Sequence, residues 1–520
     1  MILTLVAALA LPANAQDYAW QLGADAGRLD LGHDIHYMLQ AQGSASHGTT
    51  PLWLNANRYG LSSLDEHNGY LRAAVERPLN TDSVRRWGVG YGLDAAVATH
   101  YTTDVVLQQA YVEGRWLHGV LTIGAKQWPM EMKNQRLSSG SQTLGINARP
   151  IPQARLALER YWTIPGTRRW LQVKGHVAYG MLTDDSWQHD FTQRRTRYEE
   201  NVKYCSRAGF LRVGKDDIYP LSVEAGLEMA TMFGGECYRP TANGEMHRIK
   251  NSESLKSYWH AFFTGGADAP EVGSVYQNEE GNIVGSWLMR VNYDTEQWAL
   301  HVYADKYFDD ISSMFQLDYN GYGSGEEWDK KKDMRFFVYD GLKDWMLGTE
   351  LNLKHGTWLR DIVVEYLYTK YQSGPIYHDH TQGQPYHICG TDNYYNHYIY
   401  TGWQHWGQVI GNPLYRSPLY NDDGTIYIKD NRFVAWHLGL DGQPLPRLGY
   451  RLLASYQKGY GTYERPYVNP RENFSMMVEA TYTLPHQWTI TGAWGLDSGR
   501  LIGHHNGFQL TITKHGVFNL

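Results

Sequence analysis

The chain is 520 residues long with a formal net charge of −7, which gives no reason to expect nucleic acid as a partner, and it is heavy in Tyr, Trp and Gly. Those residues in quantity suit an outer-membrane β-barrel, with aromatic girdles and many tight turns; two to four soluble domains are the competing answer. Cys205, Cys237 and Cys389 are far apart, odd in number and without a CxxC pair, which excludes a disulfide framework and leaves room for one bridge at most; none is expected to be structural.

An apolar run from Ile2 to Leu11, followed by Ala13-Asn14-Ala15, reads as a secretory signal over residues 1–15, although its start lacks a Lys or Arg. Residues 16–32 are expected to form a short periplasmic segment and residues 33–520 an outer-membrane barrel with extracellular loops. No Cys follows the cleavage point, so a lipoprotein anchor is not indicated. Nowhere after Leu11 is an apolar run long enough to cross a bilayer as a helix, so a membrane protein of this sequence must cross with strands.

From His33 onward, short alternating segments follow one another. Leu171, Val173, Val177, Tyr179 and Met181 point one way, and Gln172, Lys174 and His176 the other. Leu221, Val223, Ala225, Leu227, Met229 and Phe233 oppose Ser222, Glu224 and Glu228; Trp345, Leu347, Leu351 and Leu353 oppose Glu350, Asn352 and Lys354. A soluble sandwich alternates too, with its charged face toward water. The connections favour the barrel. Tight turns near Asn80 to Ser83, Leu117 to His118, Pro165 to Thr167, Asp216 to Asp217, Asp294 to Thr295, Gly356 to Thr357, Gln443 to Pro446 and Pro485 take turns with long loops near 129–152, 182–207, 234–281, 309–341, 372–431 and 460–471. This asymmetry implies about 18 antiparallel strands, an all-β transmembrane barrel with both termini in the periplasm.

Trp287, Trp298, Trp345, Tyr366, Tyr368, Tyr450, Tyr456, Tyr482, Trp488 and Trp494 fall near strand ends, where an aromatic belt meets lipid headgroups. The inward faces carry both signs of charge, among them Lys174, Glu224, Glu228, Arg290, Asp305, Glu350, Lys354, Asp361, Glu365, Arg451 and Glu479. They could line a pore or form a closed, paired lumen.

The stretch 374–413 is packed with Tyr, Trp and His and is broken by Gly and Pro, so it is neither strand nor helix but a long loop held between two strands. Its residues Tyr398, Ile399, Tyr400, Gly402, Trp403, Gln404, Gly407 and Gly411 resemble the Wzi family of capsule-assembly proteins. So do Arg149-Pro150-Ile151 running into Leu156-Ala157-Leu158-Glu159-Arg160, the segment from Tyr258 to Gly266, the run Trp53-Leu54-Asn55-Ala56-Asn57-Arg58-Tyr59-Gly60, and Trp116 and Trp128 around a strand. The likeness runs from about residue 33 to the end. It implies an 18-stranded outer-membrane barrel that acts as a lectin for capsular polysaccharide at the cell surface of a Gram-negative bacterium, with no enzymatic activity. One departure is that some members carry a helical bundle before the first strand, and here fewer than about twenty mature residues precede it.

A sugar site needs flat aromatics for the ring faces and amides or carboxylates for the hydroxyls. Tyr394, Tyr395, Tyr400, Trp403 and Trp406 offer the faces, and Asp392, Asn393, Asn396 and Gln404 the edges; the same aromatics would equally pack the loop onto itself as a lid. Arg194, Arg195 and Arg197, with Lys203 and Arg207 nearby, and Arg136 and Arg149 in the preceding long loop, could bind an anionic polymer or a lipopolysaccharide headgroup, or lie on a plain solvated surface. His378-Asp379-His380 and His504-His505 lack a third and fourth ligand at a recognisable spacing, so no metal or other cofactor is expected. No nucleophile elbow or triad order stands out, and no catalytic residue is expected. The expected partners are capsular or other surface polysaccharide, outer-membrane lipid and lipopolysaccharide, bound by a monomer. The competing functions are a porin or sugar channel and a barrel hydrolase.

Overall fold

The computed structural model describes residues 29–215, 218–241, 243–263, 280–309, 315–318, 335–338, 343–375 and 390–520. The signal segment 1–15, most of 16–32, the His378 to His380 cluster and Cys389 lie outside the described residues.

Eighteen strands form one closed antiparallel sheet. In chain order they are β1 (Ile35–His47), β2 (His67–Arg77), β3 (Trp87–Thr99), β4 (Val105–Trp116), β5 (Gly119–Ala125), β6 (Gln153–Thr163), β7 (Leu171–Met181), β8 (Lys203–Gly214) and β9 (Leu221–Phe233). The second half is β10 (Asn282–Asp294), β11 (Trp298–Asp309), β12 (Trp345–Leu353), β13 (Asp361–Tyr368), β14 (Phe433–Leu445), β15 (Leu448–Gly461), β16 (Pro466–Leu484), β17 (Trp488–Gly499) and β18 (His504–Phe518). Each strand pairs with its sequence neighbours, and β1 pairs with β18 from Ile35 opposite Phe518 to His47 opposite Asn506, which leaves the sheet no edge. In lipid that closure is obligatory, because an unpaired strand would hold its amides and carbonyls where no water can reach them.

Gly32, near the first described residue, and Leu520 meet at one end, where the Leu520 amide donates to the Gly32 carbonyl at 2.9 Å. That end also carries the short turns, and the opposite end carries the loops. The predicted tight turns fall at the short connections, apart from 216–217, which are not described. Two loop expectations need correction. The hairpin near 460–471 is only residues 462–465, because β15 and β16 pair up to Gly461 opposite Pro466. The segment near 129–152 does not extend outward but turns into the lumen.

The wall faces follow the predicted alternation. Leu71, Leu93, Val97 and Val112 are about 60% exposed and point outward, whereas Asp94, Glu113 and Gln108 on the same strands are buried inside. Aromatic pairs ring the turn end: Trp87 opposite Trp116, Trp170 stacked on Tyr219, and Tyr293 stacked on Trp298. These amphipathic rings are the belt expected at a membrane surface. Phe233, on the outward face of β9, is nonetheless fully buried. Helix Leu255–Phe262, capped by Ser254 whose hydroxyl accepts from the Ser257 amide, lies over it and buries Ala261 against Phe233 and Cys205.

An arginine on the lipid-facing side of a strand centre has no water to hydrate it, so Leu93→Arg should destabilise the barrel by about 2–4 kcal/mol. Denaturant titration in detergent, read by the heat-dependent gel mobility of the folded barrel, measures this. A shift below about 0.5 kcal/mol would mean that this face meets water, not lipid.

Candidate functional site

The lumen acids dictate what fills the barrel. Glu228 of β9, Asp305 of β11 and Glu365 of β13 face inward and have no solvent exposure. A carboxylate so placed needs donors. Residues 126–152 provide them: in Ser138-Ser139-Gly140-Ser141-Gln142-Thr143, small residues let the backbone approach the wall closely and the others are polar. Lys133 meets Asp305 at 2.8 Å, with both side chains buried. The Gln142 amide donates to the same carboxylate at 3.1 Å, Ser138 and the Ser139 amide donate to Glu365 at 2.5 and 2.8 Å, and Ser141 and the Leu144 amide donate to Glu228 at 3.1 and 3.2 Å. Gly439 opens the wall to this plug, because a Cβ there would lie 2.3 Å from the Leu137 carbonyl oxygen. A second insert comes from residues 48–66. Its short helix Leu52–Asn55 is buried throughout, with the Leu52 amide donating to Asp497 at 2.9 Å and Trp53 packed on His437.

Above the plug, residues 390–431 close the loop end as a cap. Trp403 has no exposure; its indole nitrogen donates to the Thr143 carbonyl at 2.9 Å and its ring stacks on Tyr204. Tyr395 stacks on Tyr415 with centroids 3.9 Å apart, its hydroxyl donates to the Gln142 carbonyl, and the same hydroxyl accepts from the Asn412 amide. Tyr394 packs edge-on against Tyr307 of β11, and the Tyr400 hydroxyl donates to the Gly234 carbonyl. Asn396, Asn393 and Asn431 form one amide network, Ser373 donates to Asp392, and Gln404 bonds Thr401. Trp406 sits among Trp187, Phe191, Leu419 and Ile426, under the guanidinium of Arg149 at 4.1 Å. These aromatics could serve as faces for sugar or as a self-packed lid, and their rings point inward. Tyr394, Tyr395, Tyr400 and Trp403 spend their ring faces on the protein, as a lid would.

Two further arginine expectations separate. Arg136 stands not at the outer mouth but in the turn half of the lumen, 3.4 Å from Asp441. It helps line a cavity of about 320 Å³ with Arg58, Arg72, Arg451 and Glu479. Arg451 bonds Glu479 at 2.8 Å and Arg72 grips Asp94. Arg58 was named only as part of a resemblance motif and Arg72 was missed, although Arg72 alternates with outward Leu71 and so shows its facing. Arg194 and Arg195 are exposed at the loop end. Arg197 ties them to the cap by donating to the carbonyls of His397 and Tyr398 at 2.6 and 2.9 Å.

That contact builds an outward patch. Tyr398 is 58% exposed, and the Arg239 guanidinium lies 3.9 Å from its ring centre. Arg239 belongs to a three-stranded sheet made of Tyr198–Glu200, Glu236–Pro240 and Met246–Lys250, whose first strand follows the arginine cluster directly. Tyr398 was predicted only as part of a resemblance motif, and Arg239 carried no sequence signal. The patch combines a sugar-sized ring with arginine forks.

No family description matches the sequence, and no curated protein does. Among solved structures, the chain is similar to Wzi of Escherichia coli, described as a carbohydrate-binding β-barrel involved in group 1 capsule assembly: TM-score 0.53, 11% identity, covering 93% of this chain and 85% of that one. It also matches OprD of Pseudomonas aeruginosa (TM-score 0.45, 11% identity, 97% and 99% covered) and OccD3 of the same organism (TM-score 0.45, 10% identity, 98% and 96% covered). The chain thus has the fold of the outer-membrane β-barrels.

The plug makes its own test. Lys133→Ala leaves Asp305 buried without its cation, a change that costs roughly 3–5 kcal/mol. In planar bilayers the parent protein should pass little steady current and this variant distinctly more; equal currents would mean that the plug does not depend on the pair.

Cap closure should also depend on pH. Burial pushes up to about 7 the carboxyl of Asp430 and that of Glu199, which accepts the Thr401 amide of the cap at 2.7 Å, and pulls His397 down to about 3 and His405 down to about 4. The carboxyls hold protons in the closed cap that the opened chain would release, so closure weakens as pH rises from their ordinary range to about 7 and no further. The imidazoles stay neutral in the cap but charge when it opens, so they weaken closure as pH falls below 6.5. The two trends offset between about 4.5 and 6.5, which leaves losses above and below that window. Amide exchange in residues 393–415, corrected for intrinsic rate, should be up to about tenfold faster at pH 8 than at pH 6, and Glu199→Gln should remove part of the difference. Equal protection at both values would show that neither carboxyl holds its proton.

Proposed function

We propose that the protein is a lectin-like barrel of the outer membrane that binds capsular or other surface polysaccharide through loops facing the cell surface and so attaches or assembles the capsule. The observation that supports this most is the blocked loop half of the lumen: plug and cap stand across the path that a porin or sugar channel leaves to its solute. A barrel so closed presents a surface, and what it presents at the loop end is the patch of Tyr398, Arg239, Arg197, Arg194 and Arg195. Tyr398 stacks on a sugar ring, and the arginines meet carboxylates or phosphates of an acidic polymer. The likeness to a carbohydrate-binding barrel agrees with this reading at the level of fold.

Trp403 and its neighbours are then the support for the patch. Glycan-array binding of the purified barrel tests the assignment. Tyr398→Ala should weaken binding about tenfold to hundredfold, by analogy with the stacking of nucleobases on aromatics. Arg194→Gln with Arg195→Gln should weaken acidic glycans more than neutral ones. Trp403→Ala should instead loosen the cap, at about 3–5 kcal/mol for an emptied tryptophan site. If the parent barrel binds no glycan and carries a large stable current, the channel reading replaces this one; if it binds but Tyr398→Ala does not matter, the contact lies elsewhere on the loops.

A further inference from the structure

The outer wall carries a feature that neither the plug nor the glycan patch uses. Across β10 to β14, one row of outward residues runs in register: Met289 opposite Ala304, Ala304 opposite Leu347, Leu347 opposite Tyr366, and Tyr366 opposite Trp436. Ala304 is the small member of the row. Its short side chain leaves an apolar groove of about 480 Å³, bordered below by Val302 and Val364. Met289, Val302, Leu347, Val364 and Trp436 are each between 41% and 54% exposed, so the groove lies open to whatever surrounds the wall.

Directly above it, toward the loop end, the wall changes from apolar to cationic. Lys370 continues the outward face of β13 four residues beyond Tyr366, and Arg432 precedes β14 by four residues from Trp436. Both stand about 13 Å further along their strands than the groove's aromatic side. They are fixed to one another, since the Arg432 Nε donates to the Lys370 carbonyl at 3.0 Å. Each also lies on a tyrosine: the Arg432 guanidinium is 3.7 Å from the Tyr463 ring centre and the Lys370 ammonium 4.3 Å from that of Tyr460. The Tyr463 hydroxyl donates to the Tyr371 carbonyl, which locks the ring under its arginine. Among the described residues, no carboxylate lies within ion-pair distance of Lys370 or Arg432. Two ordered cations with aromatic support, held just above an open apolar groove, have the chemistry of a phosphorylated glycolipid: phosphate above, acyl chain below, sugar against tyrosine.

We propose that the wall at β10 to β14 is a binding site for one phosphorylated glycolipid of the surrounding leaflet, of the lipid A type, with its phosphate on Lys370 and Arg432 and an acyl chain in the groove over Ala304. A phosphoglycerolipid offers the phosphate and the chains but no sugar ring for Tyr460 and Tyr463, and the glycolipid is the occupant the site fits. The assignment rests on the loop end lying in the outer leaflet, as the proposed function has it. That orientation is checked separately, by labelling a cysteine placed at Glu464 with a membrane-impermeant reagent on intact cells. The full chain, purified in mild detergent, is titrated with diphosphoryl lipid A, dephosphorylated lipid A or phosphatidylglycerol and read by native mass spectrometry.

One equivalent of diphosphoryl lipid A should bind, and removing its phosphates should weaken binding at least about tenfold, as expected for losing a charge-assisted hydrogen bond. Lys370→Gln with Arg432→Gln should lose a similar factor. Ala304→Phe fills the groove and should lose binding with the cations intact, while its heat-dependent gel mobility reports that the barrel still folds. Retention of lipid A by both variants at the parent level would overturn the site. So would equal affinity for phosphatidylglycerol, or no lipid A held by the parent. Loops found on the inner side in the labelling experiment would remove the leaflet argument and, with it, the proposed function's orientation, whatever the titration gives.

Discussion

Three acids with no water of their own organise this molecule. Glu228, Asp305 and Glu365 stand on β9, β11 and β13, pointing into the part of the lumen that the plug occupies. An ionised carboxylate buried without donors is far costlier than a missing hydrogen bond, so these positions require a chain that comes to them. Residues 126–152 meet that requirement with one lysine, three serine and glutamine side chains and several amides. The plug is shaped by the acids as much as by its own sequence. Gly439, Ser286 and Tyr303 on the wall complete the fit: the first gives room to the Leu137 carbonyl, the second bonds Thr143, and the third donates to Glu365.

The cap depends on the plug in turn. Its anchors are plug carbonyls and side chains: Thr143 takes the Trp403 indole, Gln142 takes the Tyr395 hydroxyl, Gly140 and Ser139 take the Asn412 amide, and Asn147 donates to the Val409 carbonyl. A loop this rich in tyrosine can be buried because the hydroxyls of Tyr394, Tyr395, Tyr400 and Tyr415 each have a polar partner, in keeping with the general rule that buried polar groups are bonded. Outside the cap, only what is left over faces water, and there Tyr398 with the arginines forms the surface. The order of dependence therefore runs from the wall acids to the plug, from the plug to the cap, and from the cap to the patch.

Much of the wall was legible in the sequence, because alternation with period two is set by the pleat and by nothing further away. Leu221, Val223 and Ala225 against Ser222 and Glu224 tell their faces without help, and the short turns fall where Gly, Pro and Asp punctuate them. The inward charges were also visible. Their partners were not, since the match of Lys133 to Asp305 joins positions 172 residues apart and no local pattern announces it. The same limit applies to Trp403. A tryptophan in a glycine-rich loop looks alike whether it stacks on sugar or on Tyr204, and only the route of the chain decides. Phe233 shows the converse case, an outward apolar residue read correctly by facing but hidden by a helix from the next loop.

The polar character of the plug has a mechanical consequence. An apolar plug could re-pack after a shift, because hydrophobic burial is non-directional. A plug held by bonds to three acids cannot, for each bond is directional and weakens steeply when bent or lengthened. Shifting the segment by one residue would put Met132 or Asn134 where Lys133 meets Asp305 and so strip that carboxylate of its cation. Partial displacement is thus costlier than none, and complete displacement needs water to enter and hydrate all three carboxylates together. Plug and cap accordingly hold one position as a unit, which keeps the Tyr398 and arginine surface fixed in relation to the wall. A fixed array of ring and guanidinium groups loses little conformational entropy on meeting a ligand, and that is the condition under which a small contact, repeated over many barrels, can hold a long polymer.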